Sequence, residues 1–323
     1  MPLPAVVRGS WQRVKRWIMT SSFASQRLLR DATVVFLYHD VSDTPSPFND
    51  RRDLNVPPAV FRRQLDLIRE VFHVIDADRF LSGDYSTPAA LVTFDDGNRS
   101  YAHEALPILK EQRIPSINFL NMGPIRGEVC WAGLVAFLCA QEPALLNVRN
   151  GEARRTLSQM TEADLEPYVK SVDRQEFFDR VRAFRGPVLS AQDLQALSHE
   201  SLVRLGNHLF NHYNAARLSP ERLVQEYRKN QHLLDAHPRG TRLLSYPFGH
   251  PGLCQTAETT RLLRREGASI LFSAYPLPNV SRQRVVYHRV RMSASIRTTE
   301  DLFHATLCNY VSAWLGRGPV TLA

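Results

Sequence analysis

The chain alternates between two kinds of segment, and this alternation is the feature that most restricts its fold. Short runs of apolar and β-branched residues are each followed by a connection or by a segment with apolar residues at helical spacing. The strand-like runs are residues 33–38, 73–75, 89–94, 116–120, 203–205, 242–246, 268–272 and 284–287. Unbroken runs of this kind are typical of strands buried on both faces. The repeated pattern predicts a parallel sheet covered by helices, either open or closed into a barrel.

A single α/β barrel can account for a chain of 323 residues. The alternation stops between residues 131 and 188, where the sequence is helical and charged and has no strand signal. We therefore predict an insertion there, between two strand–helix units. The expected organisation is a basic amphipathic segment over residues 1–30, a barrel over residues 31–295 and a C-terminal helix over residues 296–323.

The net charge of +8 comes mainly from arginines that are spread along the chain. Spread charge without a nucleic-acid-binding motif predicts a solvated basic surface and no nucleic-acid partner. In residues 7–18, apolar and basic residues recur at helical spacing, which fits a helix on a membrane surface or an ordinary outer helix. No apolar run approaches the roughly 18–20 residues that cross a bilayer. Basic residues also interrupt any N-terminal secretory signal, so we expect a cytoplasmic protein, with peripheral contact to the inner membrane as an option.

Polar residues of unusual chemistry follow several of the predicted strands. They lie within residues 38–40, 93–97, 206–212 and 245–249. Reactive groups gather at the carboxyl ends of strands in parallel α/β folds. The adjacent carboxylates Asp95 and Asp96 point in different directions, so that one can bind a metal ion while the other faces a substrate. His208 and His212 are spaced i, i+4, which predicts two rings on the same side of a helical turn.

One carboxylate and two histidines leave coordination positions open, as in catalytic metal sites, and favour zinc or another divalent transition metal. Such an ion polarises a carbonyl group and lowers the pKa of bound water to about 7. A nearby carboxylate can then act as a base, and a further histidine as an acid. Each pattern alone has a simpler interpretation, since Asp-Asp-Gly is usually a turn. Their combination at strand ends favours a catalytic metal site.

These residues resemble the motifs of the polysaccharide deacetylase superfamily (NodB homology, carbohydrate esterase family four). Residues 93–97, Thr-Phe-Asp-Asp-Gly, resemble its first motif, and residues 208–212, His-Leu-Phe-Asn-His, are similar to its second, His-Ser/Thr-x-x-His. Residues 246–249, Tyr-Pro-Phe-Gly, resemble the third. The last family motif, Leu-x-His, normally lies near the C-terminus, whereas residues 37–39 fit it here. This order is what a circularly permuted member would show, and the likeness extends over about residues 33–292.

The resemblance implies a distorted (β/α) barrel of about seven parallel strands that hydrolyses an N-acetyl group on a saccharide. It implies one divalent metal ion, Zn2+ or alternatively Co2+ or Ni2+, and gives three groups of site residues. The implied metal ligands are Asp96, His208 and His212. The implied catalytic base is Asp95 and the general acid is His39. The implied substrate and oxyanion contacts are Tyr246, Pro247 and Phe248.

The sequence departs from the family pattern at two positions of the site. Leu209 replaces the usual Ser or Thr, which removes a hydroxyl that would steady the ligand loop. Ser245 stands where the third motif usually has an arginine that supports the base. Arg289 is our candidate for the same support from another position, the alternative being a surface arginine. His288 competes with His39 for the role of the acid.

The predicted function is metal-dependent removal of an N-acetyl group from a free, nucleotide-linked or lipid-linked saccharide. A cytoplasmic enzyme does not easily reach exported polymer, so we expect an intermediate of cell-surface polysaccharide synthesis. One alternative keeps the fold and metal but hydrolyses another non-peptide C–N bond. A second alternative is a non-catalytic relative that binds glycan or lipid surfaces, which Leu209 and Ser245 favour.

Overall fold

The computed structural model describes residues 22–141, 158, 160, 174–281 and 284–314. The amphipathic pattern of residues 7–18 and much of the predicted insertion lie outside the described residues. Among the described residues, no helix is both long enough and apolar enough to span a membrane. The four cysteines are free thiols.

Eleven strands and twelve α-helices make up the described structure. The strands are β1 (Thr33–Tyr38), β2 (Asp40–Val41), β3 (Asn55–Val56), β4 (His73–Val74), β5 (Ala89–Phe94), β6 (Ser116–Leu120), β7 (Val203–Asn207), β8 (Gly240–Ser245), β9 (Leu271–Phe272), β10 (Val286–Tyr287) and β11 (Arg289–Arg291). The helices are α1 (Ser22–Leu29), α2 (Pro47–Arg51), α3 (Pro58–Val71), α4 (Ala77–Ser82), α5 (Leu106–Gln112, after a π-helical turn over Tyr101–Ala105), α6 (Met122–Ile125), α7 (Trp131–Gln141), α8 (Arg174–Arg185), α9 (Ala191–Leu197), α10 (Pro220–Asp235), α11 (Ala257–Arg265) and α12 (Thr299–Trp314).

The main sheet is parallel, and a single segment pairs with both of its ends. Its strand order is β10-β9-β8-β7-β6-β5-β1-β11, with β4 beside β5. Only His288 separates β10 from β11, yet Val286 pairs with Leu271 of β9 and Arg289 pairs with Val35 of β1. Segment 286–291 therefore joins the two ends of the sheet, and the ring contains seven parallel strand positions. The predicted α/β fold is confirmed.

Burial explains why the local sequence forms these elements. All six residues of β1 and all six of β5 are buried, because helices cover one face and the barrel interior lies on the other. Helix α3 begins at Pro58, a favoured first helical residue, and turns Phe61, Leu65 and Ile68 toward the core. Helix α12, within the predicted C-terminal helix, adds Leu302, Phe303 and Leu307 to the same core.

The last strands along the chain differ from their predicted bounds. The run over residues 268–272 contains only the two-residue strand β9, and the run over residues 284–287 contains only β10. Strand β11 was not predicted at all. Its sequence, Arg-Val-Arg, lacks the apolar pattern because Arg289 points into the barrel, where it forms an ion pair.

The described part of the insertion consists mainly of two helices that pack on each other. The ring of Phe137 on α7 lies 5.8 Å from that of Phe177 and 5.6 Å from that of Phe184 on α8. Phe48 of α2 belongs to the same apolar cluster. This cluster positions the end of α8 beside the carboxyl ends of the barrel strands, where the candidate site lies.

Candidate active site

Three potential metal ligands meet at the carboxyl ends of β5 and β7. The Oδ1 atom of Asp96 lies 3.4 Å from Nε2 of His208 and 3.1 Å from Nε2 of His212. One ligand atom from each of the three residues lies within 4.8 Å of the others, and all three side chains are buried. These are the residues that the sequence predicted as ligands.

The hydrogen bonds of this cluster fit a divalent cation. Nδ1 of His208 lies 2.8 Å from the carbonyl oxygen of Ser245, which can only accept a hydrogen bond. In the neutral ring, Nδ1 therefore carries the hydrogen and Nε2 turns a lone pair toward Asp96. Asp96 Oδ1 is buried and has no hydrogen-bond partner among the described residues. A cation satisfies acceptors that face one another in this way, and a backbone carbonyl that fixes the ring tautomer is typical of histidine ligands.

The loop that carries both histidines is not the helical turn predicted from the His-x3-His spacing. Residues 208–212 are irregular, because Leu209 and His212 have left-handed backbones with φ of 57° and 62°. Side chains replace the missing helical hydrogen bonds. Asn121 Nδ2 donates to the carbonyl oxygens of His208 and Leu209, and Leu209 N–H donates to Asn207 Oδ1 over 2.8 Å. The two rings still lie 4.9 Å apart, edge to face.

Leu209 anchors the ligand loop by apolar packing. Its side chain is fully buried. The other buried members of its cluster are Ala215, Leu223, Tyr227, Leu244, Tyr246, Leu263, Ala268 and Leu271. The position at which the family motif has a hydroxyl is therefore part of a hydrophobic core in this chain.

Asp95 is held by a buried arginine from the closing strand of the barrel. Arg289 Nη1 donates to Asp95 Oδ1 over 2.8 Å, and Nη2 donates to Oδ2 over 2.7 Å. Ser245 Oγ donates to Asp95 Oδ2 over 3.1 Å and accepts from Arg289 Nη2 over 2.7 Å. Arg289 is fully buried, which excludes a surface arginine. Burial disfavours the Asp95 carboxylate, but Arg289 and His208 outweigh it and hold the pKa of Asp95 below its ordinary value.

His39 and His288 occupy different environments. Burial lowers the pKa of His39 to about 4, although the nearby Asp96 and Asp95 carboxylates favour its charged form. Asn98 Nδ2 donates to the His39 carbonyl oxygen over 2.9 Å and fixes the backbone there. His288 instead contacts Ser273 Oγ through Nδ1 over 2.8 Å, and burial followed by Arg284 lowers its pKa to about 4. Of the two rings, His39 is the one on which both carboxylates act.

Of the residues predicted to contact the substrate, Phe248 lies against the candidate metal site, whereas the side chain of Tyr246 lies in the core. Phe248 has a left-handed backbone, and its ring packs edge to face on His212 at 4.8 Å. Among the described residues, none accepts a hydrogen bond from the Phe248 N–H. Pro247 is buried and its carbonyl oxygen accepts the Gly249 N–H over 2.7 Å, which forms the turn. Tyr246 is buried in the core beside Leu209 and its hydroxyl pairs with Thr260, so its side chain does not face the site.

Arg185, which no sequence pattern predicted at the site, is brought there by the insertion. It is buried at the end of α8, and its Nη1 donates to Asn98 Oδ1 over 2.7 Å. Its Nη2 lies 3.8 Å from Asp96 Oδ2, and its guanidinium lies over the Phe48 ring. Since Asn98 also donates to the carbonyl oxygen of His39, Arg185 connects the insertion to the candidate acid and to a candidate metal ligand. Nothing in the sequence distinguishes Arg185 from the other arginines, whereas Asn98 directly follows the Asp-Asp-Gly motif.

The fold is shared with solved bacterial deacetylases. The Streptococcus pyogenes deacetylase PplD in complex with acetate superposes with a TM-score of 0.57 at 16% identity, over 85% of this chain and 98% of that chain. IcaB from Ammonifex degensii has a TM-score of 0.55 at 20% identity, over 85% and 97%. The de-N-acetylase from Aggregatibacter actinomycetemcomitans has a TM-score of 0.54 at 14% identity, over 84% and 99%. A search among curated proteins finds no match.

The sequence itself matches the polysaccharide deacetylase family over residues 82–269, more than half of its length. The chain belongs to the polysaccharide deacetylase family. It is therefore a hydrolase of non-peptide C–N bonds that acts on saccharides, which confirms the predicted enzyme class. The family is metal-dependent, and the Asp96, His208 and His212 cluster is the candidate site for the ion. The circular permutation inferred from His39 stays a prediction.

Proposed function

We propose that this protein removes an N-acetyl group from a saccharide intermediate of cell-surface polysaccharide synthesis, and that the reaction requires a divalent metal ion. The observation that carries the proposal is the position of Asp95. This carboxylate is braced by Arg289 and lies beside the cluster of Asp96, His208 and His212, with Asp95 Oδ2 3.8 Å from His208 Nε2. A base beside a metal site is what amide hydrolysis needs.

Asp96, His208 and His212 would hold the ion. When bound, a divalent ion polarises a carbonyl group and lowers the pKa of water to about 7. Asp95 takes a proton from the attacking water, and the bidentate pair with Arg289 keeps its carboxylate ionised and oriented. The bond from Ser245 Oγ fixes the same carboxylate from a second direction.

Two further groups complete the reaction. The Phe248 N–H donates a hydrogen bond to the acetyl oxygen as negative charge develops on it. His39 protonates the departing amine. Burial keeps His39 neutral near pH 7, so the proton that Asp95 takes from the water must pass to His39 before the amine leaves, and Asp96 and Asp95 favour the protonated ring.

Metal content gives the first test. We expect about one zinc, cobalt or nickel ion per chain in the wild type, and its loss in Asp96→Ala, because the remaining histidines lack the carboxylate ligand. Elemental analysis of protein purified without chelator measures this. Asp193→Ala is the matched control, since Asp193 caps helix α9 and pairs with His103 outside the cluster. Absence of metal from the wild type after supplementation would contradict the proposal and favour the non-catalytic, surface-binding relative.

Substrate class is tested by acetate release from acetylated saccharides in free, nucleotide-linked and lipid-linked form. Asp95→Asn should retain the ion and lose about 100-fold to 10,000-fold in rate, because an amide cannot accept the proton. Full activity in that variant would contradict the mechanism. Release of acetate from non-sugar amides alone would point to another C–N substrate.

We also propose that the protein is cytoplasmic and contacts the inner membrane peripherally through residues 7–18. The basic and apolar spacing of that segment supports the contact. Two experiments test this membrane contact separately from catalysis. The first is fractionation of cells. The second is vesicle binding by a variant in which the basic residues of this segment are replaced by Gln. Recovery of all protein in the soluble fraction, with no binding to anionic vesicles, would count against it.

A further inference from the structure

A cavity lined by arginines opens at the end of the barrel opposite the active site. Its volume is about 560 Å³. It lies where β4, β5 and β6 begin, since His73 starts β4 and Ser86 and Pro115 precede β5 and β6. The charged residues that line it are Arg69, Arg79 and Arg113, each exposed to solvent. We call the end of the barrel that contains this cavity the basal face.

The positive charge of the basal cavity is not compensated within the described part of the chain. Arg69, Arg79 and Arg113 take part in none of the ion pairs found there. Their neighbours behave differently, because Arg62 pairs with Glu111 over 2.6 Å and Arg63 pairs with Glu70 over 3.3 Å. Three unpaired guanidinium groups around one cavity bind phosphate groups well, because each presents a planar set of donors.

Exposed apolar side chains lie on the same face. Leu81, Val280 and Val285 are 42%, 44% and 46% exposed. Leu81 follows Arg79 by two residues on α4 and precedes β5, and Val285 directly precedes β10. Val280 follows the residue that bridges to Thr33, the first residue of β1. Val280 and Val285 therefore lie at the end of the barrel where the parallel strands begin, and Leu81 lies on α4, which also contributes Arg79 to the cavity.

We propose that the basal face docks on an anionic lipid bilayer. The arginines bind headgroup phosphates, and the three apolar side chains enter the interface between headgroups and acyl chains. A soluble anion would occupy the cavity without using the apolar residues, and nucleic acid would not use them either. Helix α1 ends at Leu29, just before β1, so the chain enters the barrel near this face from the predicted amphipathic segment.

The docking has a consequence for the proposed deacetylation, and only this consequence rests on the proposed function. The active site lies at the carboxyl ends of the strands, and the six residues of β1 span about 20 Å. Asp95 therefore faces away from the bilayer at about that height. A saccharide linked to lipid must be long enough to reach it, which favours an extended or nucleotide-linked substrate over a single sugar at the lipid.

Vesicle flotation of the full-length protein tests the surface. Vesicles with about 30% phosphatidylglycerol in phosphatidylcholine carry a negative surface potential that attracts arginine. Each arginine near such a surface strengthens binding about five-fold. The combined Arg69→Gln, Arg79→Gln and Arg113→Gln variant should bind about 100-fold more weakly.

The matched control removes the same charge from the opposite end of the barrel. Its three substitutions are Arg51→Gln, Arg126→Gln and Arg217→Gln, all at exposed residues after the carboxyl ends of strands. The control should bind vesicles nearly as the wild type does. Thermal unfolding of both variants checks that each is folded. A variant of Leu81, Val280 and Val285 to Gln should also bind more weakly, because the apolar contribution is lost.

Several results would overturn the proposal. These are no binding of the wild type to anionic vesicles at low ionic strength, equal losses in the two arginine variants, or binding unaffected by the basal substitutions. Binding of inorganic phosphate that depends on the basal arginines, without any vesicle binding, would make the cavity a soluble-anion site. No assay here uses substrate or metal, so these failures leave the proposed reaction untouched. The separate variant of residues 7–18 reports on that segment alone.

Discussion

At the scale of single residues, backbone strain concentrates at the candidate site. The described chain has six non-glycine residues with positive φ, and four of them are Asp96, Leu209, His212 and Phe248. Such conformations cost about 1–3 kcal/mol each and persist only where the surrounding structure enforces them. Here the contacts that enforce them include the apolar packing of the buried Leu209 side chain and the hydrogen bonds that the Asn121 side-chain amide donates. These backbone conformations set the directions of the candidate metal ligands and of the Phe248 N–H.

Replacing Leu209 by the family's hydroxyl residue should harm the protein. Leu209→Ser empties part of an apolar cluster, so we expect the free energy of unfolding to fall by about 2–5 kcal/mol. Metal affinity should not rise, because Leu209 N–H and C=O are already hydrogen-bonded. Denaturant unfolding measures the free energy of unfolding, and metal titration measures the affinity for the ion. Leu253→Ser, at a residue that is 43% exposed, is the control and should change stability by less than about 0.5 kcal/mol. Tighter metal binding with unchanged stability would contradict this account.

Arg289 should govern the rate through Asp95. Arg289→Lys keeps a charge but loses the bidentate pair, so the carboxylate shifts and kcat should fall by about 100-fold. Metal content should remain, because Arg289 contacts none of the three ligands in the described structure. Arg291→Lys is the control on the same strand, since Arg291 pairs with the exposed Asp53 over 3.2 Å. Steady-state kinetics measures kcat, and elemental analysis measures the metal content. An unchanged kcat in Arg289→Lys would refute the role of Arg289 in holding Asp95.

At the scale of elements, the insertion is part of the site. Helix α8 delivers Arg185 to Asn98 and Asp96, and helix α7 packs against it at Gly133. A Cβ at position 133 would lie 3.1–3.2 Å from the Cβ, Cγ and Cδ of Arg185. The glycine therefore allows the close approach that fixes the direction of this buried arginine.

Gly133→Ala tests the contact between the two helices. Alanine is the better helix former by about 1 kcal/mol, yet its methyl group must displace Arg185. We expect kcat to fall by about ten-fold, as is common when a residue behind a metal ligand moves. The effect on kcat should disappear in an Arg185→Met background, where no guanidinium is left to displace. An equal loss in both backgrounds would show that Gly133 acts on another part of the protein.

At the scale of the whole molecule, the barrel depends on contacts between distant parts of the chain. Asn279 connects them, because its Nδ2 donates to the carbonyl oxygens of Thr33 and His288 and its Oδ1 accepts the His288 N–H. It is buried between the start of β1 and the junction of β10 and β11. These bonds hold the closing segment in the register that brings Arg289 to Asp95.

Asn279→Ala should loosen this closure. It leaves the His288 N–H without its acceptor, which costs about 1–3 kcal/mol for a buried group. We expect the free energy of unfolding to fall by at least that amount. The control is Asn309→Ala, since Asn309 is half-buried and its Nδ2 donates to the Pro276 carbonyl oxygen over 3.4 Å, away from the closing segment. Denaturant unfolding compares them, and equal losses in the two variants would argue against a special role in closure.

The sequence by itself determined the fold class and predicted the four residues at the centre of the candidate site. Strands such as β1 and β5 are visible as apolar runs because burial on both faces is a local property of the sequence. Asp95, Asp96, His208 and His212 are recognisable because they lie in motifs that follow such runs. The structure brings these residues together, as expected from strands that end at one edge of a parallel sheet.

Only the tertiary structure decided how the site is supported. Arg289 lies 194 residues from Asp95 and Arg185 lies 87 residues from Asn98, so no local pattern records their pairing. The left-handed backbones of Leu209 and His212 could not be predicted from the sequence either, because the spacing of the two histidines suggests a helical turn. Periodicity reports which side chains are buried, whereas the partners of buried polar groups depend on how distant elements pack. The candidate ligands and the candidate base could therefore be predicted from the sequence, whereas their geometry is set by the closure of the barrel.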